Sequence, residues 1–250
     1  MLDRLRRSIF LVLACKGENK VVEGRGTAFA VRPDLLVSCE HVVRDASAIL
    51  VVSKENIFDG ERMTTAQVVM VDKRRDLTLL KVPSASLHPL ELFTSEQLDD
   101  ATPLFVWRWP GWFELEKSLK MGKPEGTDMK PYLNCVPRVA VMTRWWPAKE
   151  GGVPLFSFAG HVEEGMSGGP IVSALTGQVV GVVTKDLNVD PNEVADNWRA
   201  NVEHMGLYDF SGRLYPPADE IVAAQLGLGI GIALPVQELN SLMKAFPRGG

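Results

Sequence analysis

Cysteine is scarce: the 250 residues hold three, Cys15, Cys39 and Cys135. An odd, scattered set excludes a disulfide framework, and the thiols read as reduced groups of an intracellular, cytoplasmic protein. A basic excess is missing too. Lys and Arg number 27 against 31 Asp and Glu, giving a net charge of −4 and a pI near 5.7. Nothing in that balance marks a nucleic-acid partner. No apolar run approaches the roughly 20 residues that span a bilayer, so no membrane partner is expected. The opening MLDRLRRSIFLVLACKGE has the basic start and Cys15 of a lipoprotein signal. Its apolar run, Ile9 to Ala14, is six residues long and Asp3 interrupts the basic region. A signal core usually takes roughly 7–15 residues, so the segment reads as a buried first strand. Repeats, heptads and low-complexity tracts are also lacking.

What the chain does have is short apolar segments. At 46% hydrophobic residues it can bury a sizeable core. Apolar or alternating runs at 8–15, 27–32, 35–38, 47–53, 66–71 and 77–82 predict one series of strands. Runs at 104–109, 135–145, 155–160, 169–174, 178–184 and 229–234 predict a second. Turn residues punctuate most of them, which favours an all-β barrel or sandwich over a βαβ fold. The polar stretch 83–103 predicts a connection between two β-units. Helical signals are confined to the C-terminal part. PADEIVAAQLG has acids in its first turn and a closing glycine, and PVQELNSLMKAFPR repeats apolar residues at Val236, Leu239, Leu242 and Met243.

Three stretches carry chemistry. In EEGMSGGPIV, residues 163–172, three glycines surround one serine, Ser167. A turn between strands needs fewer. Extra glycines let the backbone bend sharply and let a substrate carbonyl approach main-chain N–H groups. In GTAFAVRPDLLVSCEHVV, two predicted strands form a hairpin and His41 falls just past the second. Alone, such a histidine is usually structural. In VDKRRDLTLLKV, Asp76 stands at the entrance to an apolar strand. Alone, it reads as a turn residue or an ion-pair partner of Arg74 or Arg75.

The order His41, Asp76, Ser167 is that of chymotrypsin-like serine proteases. Asp76 follows His41 by 35 residues and Ser167 follows by 91 more. The contexts resemble that family as well. GTAFAV…LLVSCEHVV is similar to GTGF-V…-LVTAAHVV, DLTLLKV to DLALLKV, and GMSGGPIV to G-SGGP-V. GQVVGVVT with GIGIALP resembles the ending of the HtrA/Deg-like branch. The resemblance covers most of 8–84 and 155–246 and is weaker over 85–154. It implies an all-β, chymotrypsin-like fold with two six-stranded antiparallel β-barrels and a C-terminal helix. Within a single domain over 1–250, the first barrel would occupy 8–84, the second 103–235 and the helix 236–246. It implies a serine endopeptidase with Ser167 as nucleophile, His41 as base and Asp76 orienting the imidazole. The N–H groups of Gly165 and Ser167 would form the oxyanion hole. The expected substrate is a polypeptide, with no cofactor or metal. The alternative is a catalytically silent trypsin-like fold that binds a peptide or protein.

The chain departs from the digestive members of that family. Met166 stands where they carry an aspartate that pairs with a newly cut N-terminus, and the disulfide beside the histidine is absent. A PDZ-like domain of the kind the HtrA/Deg-like branch carries is not expected. The resemblance places substrate-binding positions at His161, Thr184, Asp186 and Gly229. His161 matches the base of the pocket for the side chain before the cut bond. Acids nearby (Glu163, Glu164, Asp186) would attract a Lys or Arg, whereas His161 would favour an acid. Solvated rim residues are the plain alternative. Thr184 is either a hydroxyl partner of the Asp76 carboxylate or an ordinary strand threonine. Five tryptophans of the second unit (Trp107, Trp109, Trp112, Trp145, Trp146) read as packing or as a partner surface. The segment 186–227 is expected to be an insertion that folds over the cleft edge and limits access. Its DLNVDPNE mimics an EF-hand loop, but Pro191 and Asn197 stand where that loop needs glycine and glutamate. Cys39 reads as a packing residue. The closing PRGG reads as a linker, so the chain would be the protease domain of a larger regulated sensor or effector.

Overall fold

A computed structural model of the chain describes residues 1–17, 21–55, 63–83, 86–94, 98, 101–109, 135–146, 148, 152–160, 162, 165–184 and 230–246. Among these residues twelve strands close into two antiparallel barrels. The first contains β1 (Ile9–Lys16), β2 (Val21–Arg32), β3 (Leu35–Cys39), β4 (Ala48–Val52), β5 (Met63–Asp72) and β6 (Leu77–Lys81), in ring order β1-β2-β3-β6-β5-β4. The second contains β7 (Pro103–Arg108), β8 (Val136–Trp146), β9 (Leu155–Ala159), β10 (Pro170–Ser173), β11 (Val179–Val183) and β12 (Ile230–Pro235), in ring order β10-β11-β12-β9-β8-β7. This is the two-barrel, chymotrypsin-like architecture the motifs imply, and each of the twelve predicted runs overlaps a strand, although β2 and β5 begin at Val21 and Met63, before their predicted runs at 27 and 66.

The burial pattern explains why several strands read as unbroken apolar runs. Successive strand residues point to opposite faces. Phe10 and Val12 of β1 join the core inside the first barrel, with Ala28, Leu36 and Val51. Ile9, Leu11 and Leu13 face the other way, into a core shared with Trp107, Val172, Val182 and Leu234 of the second barrel. A third core, with Phe156, Phe158, Ile171 and Val180, fills the second barrel. A strand wedged between two cores has no solvent face, so alternation disappears. Register shifts at Ala14/Cys15, Ala30/Arg32, Val68/Met70, Met142/Arg144 and Ile171/Val172 bend the strands as closure requires.

Three helices accompany the strands among the described residues. The C-terminal one, α3 (Val236–Ala245), starts at Pro235 and buries Val236, Leu239 and Leu242 in the shared core. The other two were not anticipated: α1 (Leu2–Arg6) buries only Leu5, and α2 (Glu40–Val43) is a single turn after β3. The polar connection around 86–94 is a seam between the barrels. Leu87 and Leu90 are buried, Leu90 N–H donates to Ala30 O at 2.9 Å, and Phe93 N–H donates to Val179 O at 2.8 Å. No helix among the described residues is long and apolar enough to cross a membrane. The predicted helix PADEIVAAQLG and the segment 186–227 lie outside the described residues.

Candidate active site

His41 and Asp76 leave the same end of one strand pair. β3 and β6 run antiparallel with Cys39 opposite Leu77, so the residues just past that rung, Glu40–His41 and Asp76, face each other. Glu40 N–H donates to Asp76 O at 3.1 Å and extends the ladder one step. The carboxylate then takes two bonds from His41: the backbone N–H to Oδ1 at 2.9 Å and ring Nδ1 to Oδ2 at 2.6 Å. Burial pushes the Asp76 carboxyl up, but the ring and backbone bonds from His41 outweigh it and hold it below its ordinary value. Asp76 is therefore charged at neutral pH, and the Nδ1–H tautomer of His41 is favoured, leaving Nε2 as acceptor.

The surroundings keep both groups to this pairing. Asp76 sits in the left-handed region, with φ +54, which costs a non-glycine residue about 1–2 kcal/mol. The turn before it is held by Arg75, whose N–H and Nη1 donate to the Asp72 carboxylate at 3.0 and 2.6 Å. Arg75 Nε donates to Glu238 of α3 at 2.5 Å. Arg75 is thus not the ion-pair partner of Asp76. Burial pushes Asp72 up as well, and the Arg75 bonds carry it below its ordinary value. Glu40, next to His41, is 4% exposed and paired with Arg44, which lowers its carboxyl. It is not available to orient the imidazole.

Ser167 arrives from the second barrel on the glycine turn. Gly165 and Gly168 have φ +92 and +84. Gly168 N–H donates to Val183 O at 2.7 Å, and Gly169 N–H closes the turn on Met166 O at 2.9 Å before β10 begins. A Cβ on Gly168 would lie 2.3 Å from Thr27 O, 2.5 Å from Ser38 Oγ and 2.8 Å from Cys39 N. The turn is therefore pressed against the corner of the first barrel that carries His41. Gly26 marks the same junction: a Cβ there would lie 2.6 Å from both Val42 γ-methyls and 3.0 Å from Ser167 O. Among the described residues the N–H groups of Gly165 and Ser167 are donated to no main-chain carbonyl.

The other expected positions divide. Thr184 lies just past β11, and its hydroxyl donates to Ile232 O at 3.2 Å. With its one proton used there, it is not a donor to Asp76. His161, Glu163, Glu164, Asp186 and Gly229 lie outside the described residues. Met166 is 1% exposed, within the second-barrel core, so no charge pairs there. Trp107 and Trp109 are buried, and Trp145 stacks on Phe156 at 6.2 Å, so these three pack rather than form a surface. Cys39 is buried with Sγ 3.3 Å from Val183 O, and burial, then the Asp76 charge, push its thiol well up. An inert thiol follows. Cys39, His41 and Asp76 bring ligand-type atoms within 4.8 Å of one another. The His41–Asp76 contact is closed as a hydrogen bond and the thiol is kept protonated, which does not suit a metal.

Residues 26–182 match the family model described as trypsin-like peptidase domain. The chain is 27% identical over 172 residues to serine protease Rv3671c of Mycobacterium tuberculosis strain H37Rv, covering 66% of this chain and 36% of that protein. The crystal structure of the active form of the Rv3671c protease superposes with a TM-score of 0.61 at 20% identity, covering 96% of this chain and 81% of that one. A Chlamydia muridarum protein named probable periplasmic serine endoprotease DegP-like is 29% identical over 164 residues, 64% of this chain and 28% of its own length. The HtrA-type protease AlgW, solved with a tripeptide, gives a TM-score of 0.63 at 17% identity, covering 98% of this chain and 61% of that one. The chain spans about a third of the length of the curated relatives it matches.

Proposed function

The chain belongs to the trypsin-like peptidase domain family, and from that premise we propose that it is a serine endopeptidase acting through His41, Asp76 and Ser167. The observation that carries this reading is the closed His41–Asp76 pair, with Nδ1 2.6 Å from Oδ2. It supplies a histidine oriented and electrostatically supported as a general base.

In this mechanism Ser167 Oγ attacks the peptide carbonyl carbon while its proton passes to His41 Nε2. The carbonyl oxygen becomes an oxyanion, met by the N–H groups of Gly165 and Ser167. The C–N bond breaks as His41 returns the proton to the leaving amine. Water then attacks the acyl-enzyme ester with His41 again as base, releasing the acid and restoring Ser167. Asp76 keeps its charge throughout and stabilises the imidazolium.

A second reading is a resting domain whose activity is switched on elsewhere. A regulatory protein or domain would be its partner, the chain being the protease part of a longer sensor or effector. Its substrates are polypeptides. Cys15, Cys39 and Cys135 are buried and not disulfide-bonded, which supports a reducing, cytoplasmic setting. Casein hydrolysis tests the main reading: Ser167→Ala should lose about 10⁶-fold with its fold intact. Equal hydrolysis by wild type and Ser167→Ala would end it.

A further inference from the structure

The turn that carries both oxyanion donors is rich in glycine, and two of its carbonyls are held from the first barrel. Thr27, on β2, is 0% exposed and grips the turn at both ends. Its N–H donates to Ser167 O at 2.8 Å, and its hydroxyl donates to Gly165 O at 2.7 Å. The hydroxyl in turn accepts from Trp109 Nε1 at 3.1 Å, and Trp109 is 7% exposed. The direction of this relay is fixed by chemistry. An indole N–H only donates and a carbonyl only accepts, so the single Thr27 proton must point at Gly165.

We propose that Thr27 and Trp109 are positioning residues for the oxyanion loop: Trp109 sets the Thr27 hydroxyl, and Thr27 fixes the carbonyls at both ends of the arc Gly165–Met166–Ser167. The inference rests on the endopeptidase reading above. Gly165 at φ +92 has no Cβ to restrict it, and glycine populates both signs of φ readily. An oxyanion hole works only if its donors are aimed before charge develops. With the Gly165 and Ser167 carbonyls both held, the three-residue arc retains few conformers. The bonds lie out of water, where a directed hydrogen bond is electrostatically stronger. Trp109 comes from the end of the second barrel's first strand, so the relay also ties the loop to the junction of the two barrels.

Thr27→Val tests this, because it keeps the shape and the backbone N–H but removes the hydroxyl. The probe is a fluorophosphonate, whose transfer to serine builds negative charge on a phosphoryl oxygen. Labelling at saturating probe should slow about tenfold, less than the loss of a whole oxyanion donor. The half-saturating concentration should stay within about twofold, because ground-state binding is untouched. Thr27→Ser should restore the rate, and Trp109→Phe should show a smaller loss of the same kind. Amide hydrogen exchange at Gly165–Ser167 should quicken in Thr27→Val and return in Thr27→Ser. Wild-type labelling by folded Thr27→Val overturns the inference. So does quicker exchange with an unchanged rate, or a loss confined to the half-saturating concentration. If Thr27→Val fails to fold, unchanged labelling and exchange in Trp109→Phe overturn it equally. A wild-type protein that takes no label fails the endopeptidase reading instead, and the exchange data tell the two failures apart.

Discussion

Asp76→Asn changes one atom and should disable the base. His41 presents two donors to one carboxylate, the backbone N–H to Oδ1 at 2.9 Å and Nδ1 to Oδ2 at 2.6 Å. An asparagine offers one acceptor end and one donor end. The backbone N–H can only be met by the oxygen, so the amide nitrogen must take the Oδ2 position facing Nδ1. It donates there, Nδ1 has to accept, and the ring proton moves to Nε2. That is the nitrogen that must receive the Ser167 proton. The same replacement in a related protease costs about 10⁴-fold, equivalent to about 5.4 kcal/mol on the barrier. The thermal midpoint should hardly move, since the amide keeps the carboxylate's size. Casein hydrolysis followed from pH 6 to 10 should show the deficit at neutral pH and partial recovery in alkali. A variant within about tenfold of wild type at pH 7 would refute the argument. Glu40 would not rescue it, because Arg44 holds that carboxylate.

Gly168→Ala should fail for a different reason. At φ +84 with backbone atoms at 2.3 and 2.8 Å from the new Cβ, it combines about 1–2 kcal/mol of left-handed strain with about 1–3 kcal/mol of overpacking. An unchanged urea midpoint would contradict that. Arg75→Met leaves the Asp72 and Glu238 carboxylates, each 17% exposed, without their shared cation. Stability should fall by about 2 kcal/mol, and slower fluorophosphonate labelling should show that the Asp76 turn has loosened; wild-type labelling would sever that link. Glu40, Asp72 and Asp76 all sit below their ordinary values in the folded chain. Their contribution is complete above the unfolded values, about 4, and disappears as pH falls through the lower folded ones. Thermal midpoints should drop below about pH 4, less so in Asp72→Asn; a flat acid limb would count against these pairings.

Much of this arrangement is legible in the sequence because barrel strands are punctuated by turns and packed on both faces. Ile9 to Cys15 reads as a strand although nothing in it alternates, since it lies between two cores. His41, Asp76 and Ser167 stand out through their local motifs. The helical turn that holds His41 has only four residues, too short for any periodicity to register. The seam through Leu87 and Leu90 is hidden for a related reason: its backbone pairs with loops and strand ends, under a polar composition. Thr27 was the signal missed. A threonine between Gly26 and Ala28 looks like ordinary strand filler, and only the approach of Gly165 and Trp109 from the other barrel gives its hydroxyl a task. Thr184 shows the reverse case, a hydroxyl in the expected place whose proton goes to Ile232 O.

The central claim is that Ser167 is a nucleophile activated by His41. It is tested most directly by treating wild type, His41→Ala and Ser167→Ala with a fluorophosphonate and locating the adduct by peptide mass spectrometry. One adduct is expected, on Ser167, in wild type, with labelling abolished in both variants while all three remain folded by circular dichroism. An adduct on another residue, or equal labelling of Ser167 without His41, would contradict it.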